Sequence, residues 1–122
     1  MSFSNYLEED VLDYVLTQVP FWLGASTADP GEDAAGLAEP VGNGYARVSS
    51  SAWARSGSAI ANTAEVALAA ATGSWGTLTY GCLFDAETGG NMLLSLELDA
   101  SLAIGDGEVF KFAIGAFNIT LD

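Results

Sequence analysis

The amino-acid sequence predicts a mainly β protein: a compact antiparallel β-sandwich or barrel with one N-terminal α-helix. Apolar and polar residues alternate with a period of two through much of the second half of the chain, as in half-buried strands. Clusters of Gly, Asn and Asp separate these segments as turns separate strands. Near the N-terminus the apolar residues recur instead at helical spacing. Because 122 residues is an ordinary size for one domain, we expect a single domain over residues 1–122, with the helix at about 4–18 and a β-rich body at about 21–122.

The predicted helix is amphipathic, and the sequence marks both of its ends. Its apolar residues fall on one broad face: Leu7, Val11, Leu12, Tyr14, Val15 and Leu16. The acidic residues of the opposite face are Glu9, Asp10 and Asp13. Asn5 is the predicted N-cap, with Glu8 following as in a capping box, and Ser4 is the alternative cap. Pro20 ends the pattern, because proline has no N–H to donate and disfavours helical backbone at the preceding residue.

The predicted strands follow from short apolar runs and from strict alternation. Apolar runs predict strands at residues 21–25 and 45–49, and Asn43-Gly44 between them has the residue types of a type I′ turn. Alternation predicts the remaining strands, at residues 77–84, 94–98, 110–114 and 117–121. Glycine-rich turns separate these strands at residues 87–91 and 105–107. Residues 50–58 are small and polar, and no element is assigned to them.

The charge balance excludes several classes of function. The chain holds 16 Asp and Glu, 3 Lys and Arg and no His, so its formal net charge is −13. Binding to nucleic acid or to an anionic membrane requires cations, and Arg47, Arg55 and Lys111 are too few to form a basic face. Without His, the usual general base and the commonest metal ligand are both missing. We therefore expect no enzymatic activity, no catalytic residues, no cofactor, no metal site and no nucleic-acid partner.

The uncharged stretch at residues 66–84 is long enough to raise the question of a membrane span. Its glycines and threonines make it a poor membrane helix, and a strand-turn-strand segment fits it better. The N-terminus is acidic and lacks the cationic region of a signal peptide. We therefore expect no membrane partner.

The acidic loops and the single cysteine are interpreted as structural. Loops at residues 29–33 and 85–91 carry the oxygen ligands that Ca²⁺ prefers, but neither has the spacing of an EF-hand. We interpret both as solvated turns. Cys82 lies on the apolar face of its predicted strand, so we expect a buried thiol with a packing role.

Aromatic and arginine side chains are the best candidates for a contact surface, because these residue types anchor protein interfaces. The candidates are Trp53, Arg47, Arg55, Tyr14 and Trp22. Trp53 lies in the least core-like stretch of the chain, whereas Trp75 precedes a strongly apolar strand and is assigned to the core. The few cations among many acids should form ion pairs, within the chain or to a neighbouring copy. The helix is a candidate attachment element, and the alternative is that it covers the open end of a sandwich.

Several segments, taken in order, resemble one known family. They are Ser2-Phe-Ser-Asn-Tyr-Leu-Glu8, Ser26-Thr-Ala-Asp-Pro-Gly-Glu32, Gly44-Tyr-Ala-Arg-Val48, Ala71-Thr-Gly-Ser-Trp-Gly-Thr77, Phe84-Asp-Ala-Glu-Thr-Gly-Gly-Asn91 and Asn118-Ile-Thr-Leu-Asp122. Their order and spacing are similar to those of the small tailed-bacteriophage virion proteins usually labelled "phage tail fiber protein", and the resemblance covers essentially the whole chain. The chain departs from the family in a brief segment at residues 18–25 and in the middle region, residues 49–70.

The resemblance implies a non-enzymatic virion structural protein, a small accessory subunit on the exterior of the particle that is made in the host cytoplasm. Its implied partners are other virion proteins, the tail or the major capsid protein, and further copies of itself, with a trimer as one option. A fibre shaft needs length and repeats, which this chain lacks. A capsid decoration (cement) protein that stabilises the head is therefore the alternative, and a carbohydrate-binding module for host attachment is a lesser one.

Overall fold

A computed structural model describes residues 3–120, and within them the chain forms one helix and nine strands. Helix α1 spans Asn5–Gln18. The strands are β1 Trp22–Ser26, β2 Val48–Ser49, β3 Trp53–Ser56, β4 Ala59–Asn62, β5 Val66–Ala67, β6 Gly76–Phe84, β7 Met92–Ile104, β8 Lys111–Phe112 and β9 Asn118–Thr120. Every strand pairing is antiparallel. The predicted mainly β, antiparallel fold with an N-terminal helix is confirmed, and the strands of this part of the chain form open sheets rather than a closed barrel.

Three sheets stack around one core in a sandwich-like arrangement. The largest has four strands in the order β2-β1-β6-β7, and the smaller sheets are β3-β4-β9 and β5-β8. The smaller sheets pack on the face of the large sheet towards which a side chain at Gly81 of β6 would point. A Cβ atom added to Gly81 would lie 2.6 Å from Cε1 of Phe112 and 3.3 Å from Cζ of Phe117. Only glycine lets these rings approach the backbone of β6 so closely.

The hydrophobic core is rich in aromatic rings. Phe112 is central to it, since its ring centroid lies 4.8 Å from that of Phe110 and 4.7 Å from that of Phe117. Trp75 is buried and Cys82 is fully buried, so both predicted core positions are confirmed. Trp75 also donates from Nε1 to the carbonyl of Asn43, at 2.8 Å, which satisfies its one polar group.

Helix α1 begins after Ser4, which is the N-cap and not Asn5. The N–H of Leu7 donates to Ser4 Oγ at 3.2 Å, and the backbone of Ser4 is extended, as a cap requires. Asn5 is the first helical residue. The helix ends at Gln18, and the N–H of Val19 closes the last turn on the carbonyl of Val15. Helix α1, the one helix in residues 3–120, is neither long nor apolar enough to cross a bilayer.

Strand boundaries differ most where turns and bulges interrupt alternation. The segment predicted at 110–114 contains only β8, because the chain turns at once and Gly115 has a φ of 77°. The segment predicted at 94–98 extends to the full Met92–Ile104 of β7. The pair Asn43-Gly44 does form a turn with positive φ at both residues, closed by the Tyr45 N–H on the Gly42 carbonyl. This turn lies in the long connection between β1 and β2 and joins no paired strands directly.

Candidate docking surface

Arg47, a predicted contact residue, is held inside the molecule by four hydrogen-bond acceptors. Its NH2 and Nε atoms bind Glu39 at 2.6 and 3.0 Å, and its NH1 donates to the carbonyls of Ala86 and Gly89 at 2.8 and 2.9 Å. The guanidinium carbon also lies 3.4 Å from the ring centroid of Phe84. These contacts tie the β1–β2 connection to the β6–β7 loop. Within the monomer Arg47 is therefore a structural anchor, and its predicted role in an interface remains a prediction.

Glu39, the partner of Arg47, also accepts a hydrogen bond from the Tyr45 hydroxyl at 2.5 Å. Burial raises the pKa of Tyr45, and the Glu39 carboxylate raises it further. For Glu39 itself burial would raise the pKa, but the hydrogen bonds from Arg47 and Tyr45 outweigh burial and hold its pKa below the ordinary value. The Tyr45 hydroxyl in turn accepts the Ala25 N–H at 3.0 Å. This buried network fixes the β1–β2 connection over the large sheet.

Arg55 joins helix α1 to strand β3. Its Nε lies 2.6 Å from Asp13 Oδ1, its NH1 lies 3.6 Å from Glu9 Oε2, and NH1 also donates to the Gly57 carbonyl at 3.0 Å. The expectation that the cations form ion pairs is confirmed within the chain for Arg47 and Arg55, whereas Lys111 forms no ion pair in residues 3–120. Because both carboxylates belong to the helix, this contact sets which face of α1 turns toward the sheet.

The two tryptophan candidates are half-buried. Trp53 packs edge-on against Phe21 at a centroid distance of 4.8 Å and lies 6.3 Å from Phe117. Its Nε1 is buried and has no hydrogen-bond partner in residues 3–120. Trp53 also lines a pocket of about 180 Å³ at the C-terminal end of α1. Trp22 begins β1, where it pairs with Ser49 and Phe84. Neither side chain stands free of the body.

Tyr14, the remaining candidate, belongs to an exposed apolar surface along α1. We name as the "outer helix face" the helical residues Tyr6, Leu7, Asp10 and Tyr14 together with Phe3, which precedes the N-cap, and all five are exposed. The inner side of the helix instead buries Glu8 and Leu12. The buried stripe is thus narrower than the broad apolar face that the sequence predicted, and Leu7 and Tyr14 fall outside it. The spacing of Tyr6, Asp10 and Tyr14, four residues apart, is the signal in the sequence for this second face.

The acidic loops use their carboxylates to close turns. Asp85 accepts the Asn91 N–H at 2.7 Å and the Asn91 side-chain amide at 3.0 Å, and these bonds hold the pKa of Asp85 below its ordinary value. Asp29 and Asp33 accept the N–H groups of Gly31 and Ala35, two residues further on. In the described part of the chain no three potential metal ligands gather in one place. Burial, and then the nearby Glu39 carboxylate, raises the pKa of the Cys82 thiol to about 12.

The fold and its surfaces define a class of protein. It is a β-rich, strongly acidic module, with two arginines paired to acids of the same chain and one exposed helix face that carries apolar side chains. The family model of the podophage GP4 fiber I protein gp80 matches residues 2–120. Because this match spans nearly the whole chain, the protein belongs to that family of bacteriophage fiber proteins, and the fiber-type resemblance is confirmed. Membership supports a structural role in the virion and contact with other virion proteins. No curated protein matches the chain significantly.

Proposed function

We propose that the chain is a non-enzymatic structural subunit on the exterior of a bacteriophage particle, where it binds other virion proteins at a fiber. The observation that carries this proposal is the fiber-family match over residues 2–120. The geometry supports it, because the polar side chains that sequence analysis singled out serve to hold the fold together. Arg47, Arg55 and Asp85 each close a contact between elements or the ends of a loop.

The charge of the chain suits display on a particle surface. With a net charge of −13 and both arginines engaged, the exposed acids, among them Asp10 on the helix and Asp106 in a turn, keep free subunits apart. Several copies are expected on one particle, and a homotrimer is one option for their arrangement. Any contact between copies must then avoid bringing acidic loops together.

A capsid decoration protein is the second candidate. The observation that favours it is the short body: residues 3–120 fold into stacked sheets around one core, with no repeated or extended shaft. A sugar-binding module ranks below it, because Trp22 and Trp53 are half-buried and Trp75 is buried, which leaves tyrosines such as Tyr6 and Tyr14 as the exposed rings for stacking on a sugar.

Immunogold labelling of intact virions with an antibody to this chain tests the proposal. We expect gold at the fibers, and none on particles of a phage that lacks the gene. Gold over heads alone would exclude the fiber position and favour capsid decoration. If intact virions carry no label and the chain is absent from purified particles by mass spectrometry, the proposed function is wrong. Binding of the purified chain on a glycan array would favour the sugar-binding alternative.

A further inference from the structure

We propose that the outer helix face is a docking site for a different virion protein, one that presents an apolar groove flanked by Lys or Arg. This inference rests on the proposed function, since it names the surface through which the subunit attaches. The alternative is that a second copy of this chain covers the outer helix face.

The apolar side chains of the outer helix face are strongly exposed. The exposed apolar side chains at this face are Phe3 at 47%, Tyr6 at 79%, Leu7 at 41% and Tyr14 at 65%. A whole aromatic side chain presents roughly 150–250 Å², so together they expose about 400 Å² of side-chain surface. A patch of this size is as large as the biggest apolar patch of a typical monomer, and such patches are often functional. Tyrosine is also enriched among the residues that dominate binding energy.

The fold does not depend on the exposed side chains of the outer helix face. The helix is fixed to the body through its inner side, where Leu12 is buried, and through the Arg55–Asp13 ion pair. Its N-terminus is closed by Ser4. Exposed tyrosines on a helix that is already capped and anchored contribute little to stability, so their presence requires another explanation. A binding partner provides one.

A carboxylate, that of Asp10, lies at the centre of the outer helix face. Asp10 lies one helical turn from both Tyr6 and Tyr14 and is exposed, and its side chain makes no ion pair or hydrogen bond within residues 3–120. A partner that covers the tyrosines also covers this carboxylate. Burying an unpaired carboxylate is strongly unfavourable, so the partner must place a Lys or Arg against it.

A second copy of the chain fits this requirement poorly. Arg47 and Arg55 are engaged in ion pairs, and Lys111, which forms no ion pair in residues 3–120, lines a surface depression together with Glu97 and Asp99. A second copy that offered Lys111 to Asp10 would therefore bring these two acids to the patch as well, which is unfavourable. Two copies meeting across the patch alone would bury about 800 Å², which is the size of a weak contact and below that of a stable interface. A groove in a larger partner can enclose the helix and contact its polar flanks as well.

The test measures rebinding to particles that lack the chain. Virions are purified from a phage whose gene for this protein is deleted, and the full-length chain, fluorescently labelled, is titrated onto them in about 50 mM and about 500 mM NaCl. The variants are Tyr6→Ser with Tyr14→Ser, and Asp10→Asn. The matched controls are Val41→Ser with Ile114→Ser, which are exposed apolar residues elsewhere, and Asp106→Asn, an exposed acid in a distant turn. Circular dichroism confirms that each variant is folded.

We expect the double tyrosine variant to bind at least about a hundredfold more weakly, a tenfold loss for each anchor. Asp10→Asn should bind about tenfold more weakly at low salt, and its deficit should shrink at high salt, because screening weakens the pairing that it lacks. The controls should bind within about twofold of the wild type.

Two results would overturn the inference while leaving the proposed function intact. In the first, the wild type rebinds and the tyrosine and Asp10→Asn variants rebind equally well, so the docking site lies elsewhere. In the second, light scattering shows that the free wild-type chain is an oligomer and that the tyrosine substitutions make it monomeric, so another copy covers the face. If the wild type rebinds to no particle, the inference fails too, and immunogold labelling then shows separately whether the chain is a virion component.

Discussion

Removal of the Arg47 guanidinium should destabilise the fold more than any other change of one charge. Arg47→Met keeps the bulk of the side chain over Phe84 but leaves the Glu39 carboxylate without its cation and the Ala86 and Gly89 carbonyls without their donor. The side chains of Arg47 and Glu39 are only 6% and 21% exposed. Loss of one partner from a buried pair costs 3–5 kcal/mol, and because Glu39 keeps partial contact with water we expect about 3 kcal/mol.

Urea unfolding at pH 7, followed by tryptophan fluorescence, measures this cost. Lys111→Met is the matched control, because it makes the same change of residue at an exposed cation that forms no ion pair in residues 3–120, and it should change the free energy of unfolding little. The double variant Arg47→Met with Glu39→Gln should lose less than the sum of the single losses, because the unpaired carboxylate is gone. A cost below about 1 kcal/mol for Arg47→Met would refute the buried-anchor interpretation.

The pH dependence of this cost has a definite sign. Burial pushes the pKa of Glu39 up, but the hydrogen bonds from Arg47 and Tyr45 prevail and lower it from 4.5. A carboxyl with a lowered pKa in the folded state stabilises the fold above its ordinary pKa and loses that contribution as the pH falls through the lowered value. The cost of Arg47→Met should therefore be largest at neutral pH and should shrink as the pH falls below the ordinary pKa of Glu39. A cost that grows on acidification would contradict this reasoning.

Three further predictions concern the helix anchor, a close backbone approach and the thiol. Arg55→Ala should speed amide hydrogen exchange in helix α1 and leave the core strands unchanged, because it removes the ion pair with Asp13 that joins helix and sheet; equal acceleration everywhere would contradict a local anchor. Gly24→Ala should lower the free energy of unfolding by about 1–3 kcal/mol in thermal or urea melts, because the new Cβ would lie 2.5 Å from the Tyr45 hydroxyl. Gly24→Ala should cost less in a Tyr45→Phe background than in the wild type, because the hydroxyl that the new Cβ meets is gone, and an equal cost in both backgrounds would refute the clash. Cys82 should resist a thiol reagent at pH 8 and react only after unfolding, because burial, and then the Glu39 carboxylate, raises its pKa to about 12; rapid labelling of the folded chain would disprove its burial.

The sequence predicted the ends of strand β6 closely, but it underestimated the length of strand β7. Strand β6 was predicted to within one residue of its ends, because it is an uncharged run that stops at the acidic turn beginning with Asp85. Its burial does not follow the predicted alternation, since residues 81–84 are all buried. Strand β7 is much longer than its alternating segment, because its register shifts: Leu78 pairs with Leu102 and Tyr80 pairs with Glu97. Residues 98–101 of β7 therefore lie opposite the single intervening residue of β6, Thr79, and such a bulge breaks the period of two.

Strand β3 was not predicted at all, for a different reason. Its residues Trp53–Ser56 are small or polar apart from the tryptophan, and they pair with β4 at one edge of a small sheet. An edge strand that is half-exposed needs no regular apolar pattern, so local composition does not distinguish it from a loop.

At the candidate site, too, the sequence did not predict the exposure and the contacts of single residues. Tyr14 lies on the broad apolar face of the predicted helix but is exposed in the structure, because spacing alone does not show how wide a stripe the body covers. Its role as a contact residue stays a prediction. The contacts of Arg47 reach from Glu39 to Gly89, and nothing local in the sequence signals partners so far apart. Residue type indicated that Arg47 would be paired, and only the fold shows with what.

Photo-crosslinking from the outer helix face in intact virions tests the central claim most directly. The photoreactive amino acid p-benzoylphenylalanine replaces Tyr14, and the control carries it at Ile114, an exposed position outside this face. After irradiation, mass spectrometry of the purified particles should identify one other virion protein joined to position 14, at a site flanked by Lys or Arg, and no such product from position 114. Crosslinks from position 14 only to further copies of this chain, or none in virions that contain it, would contradict the account.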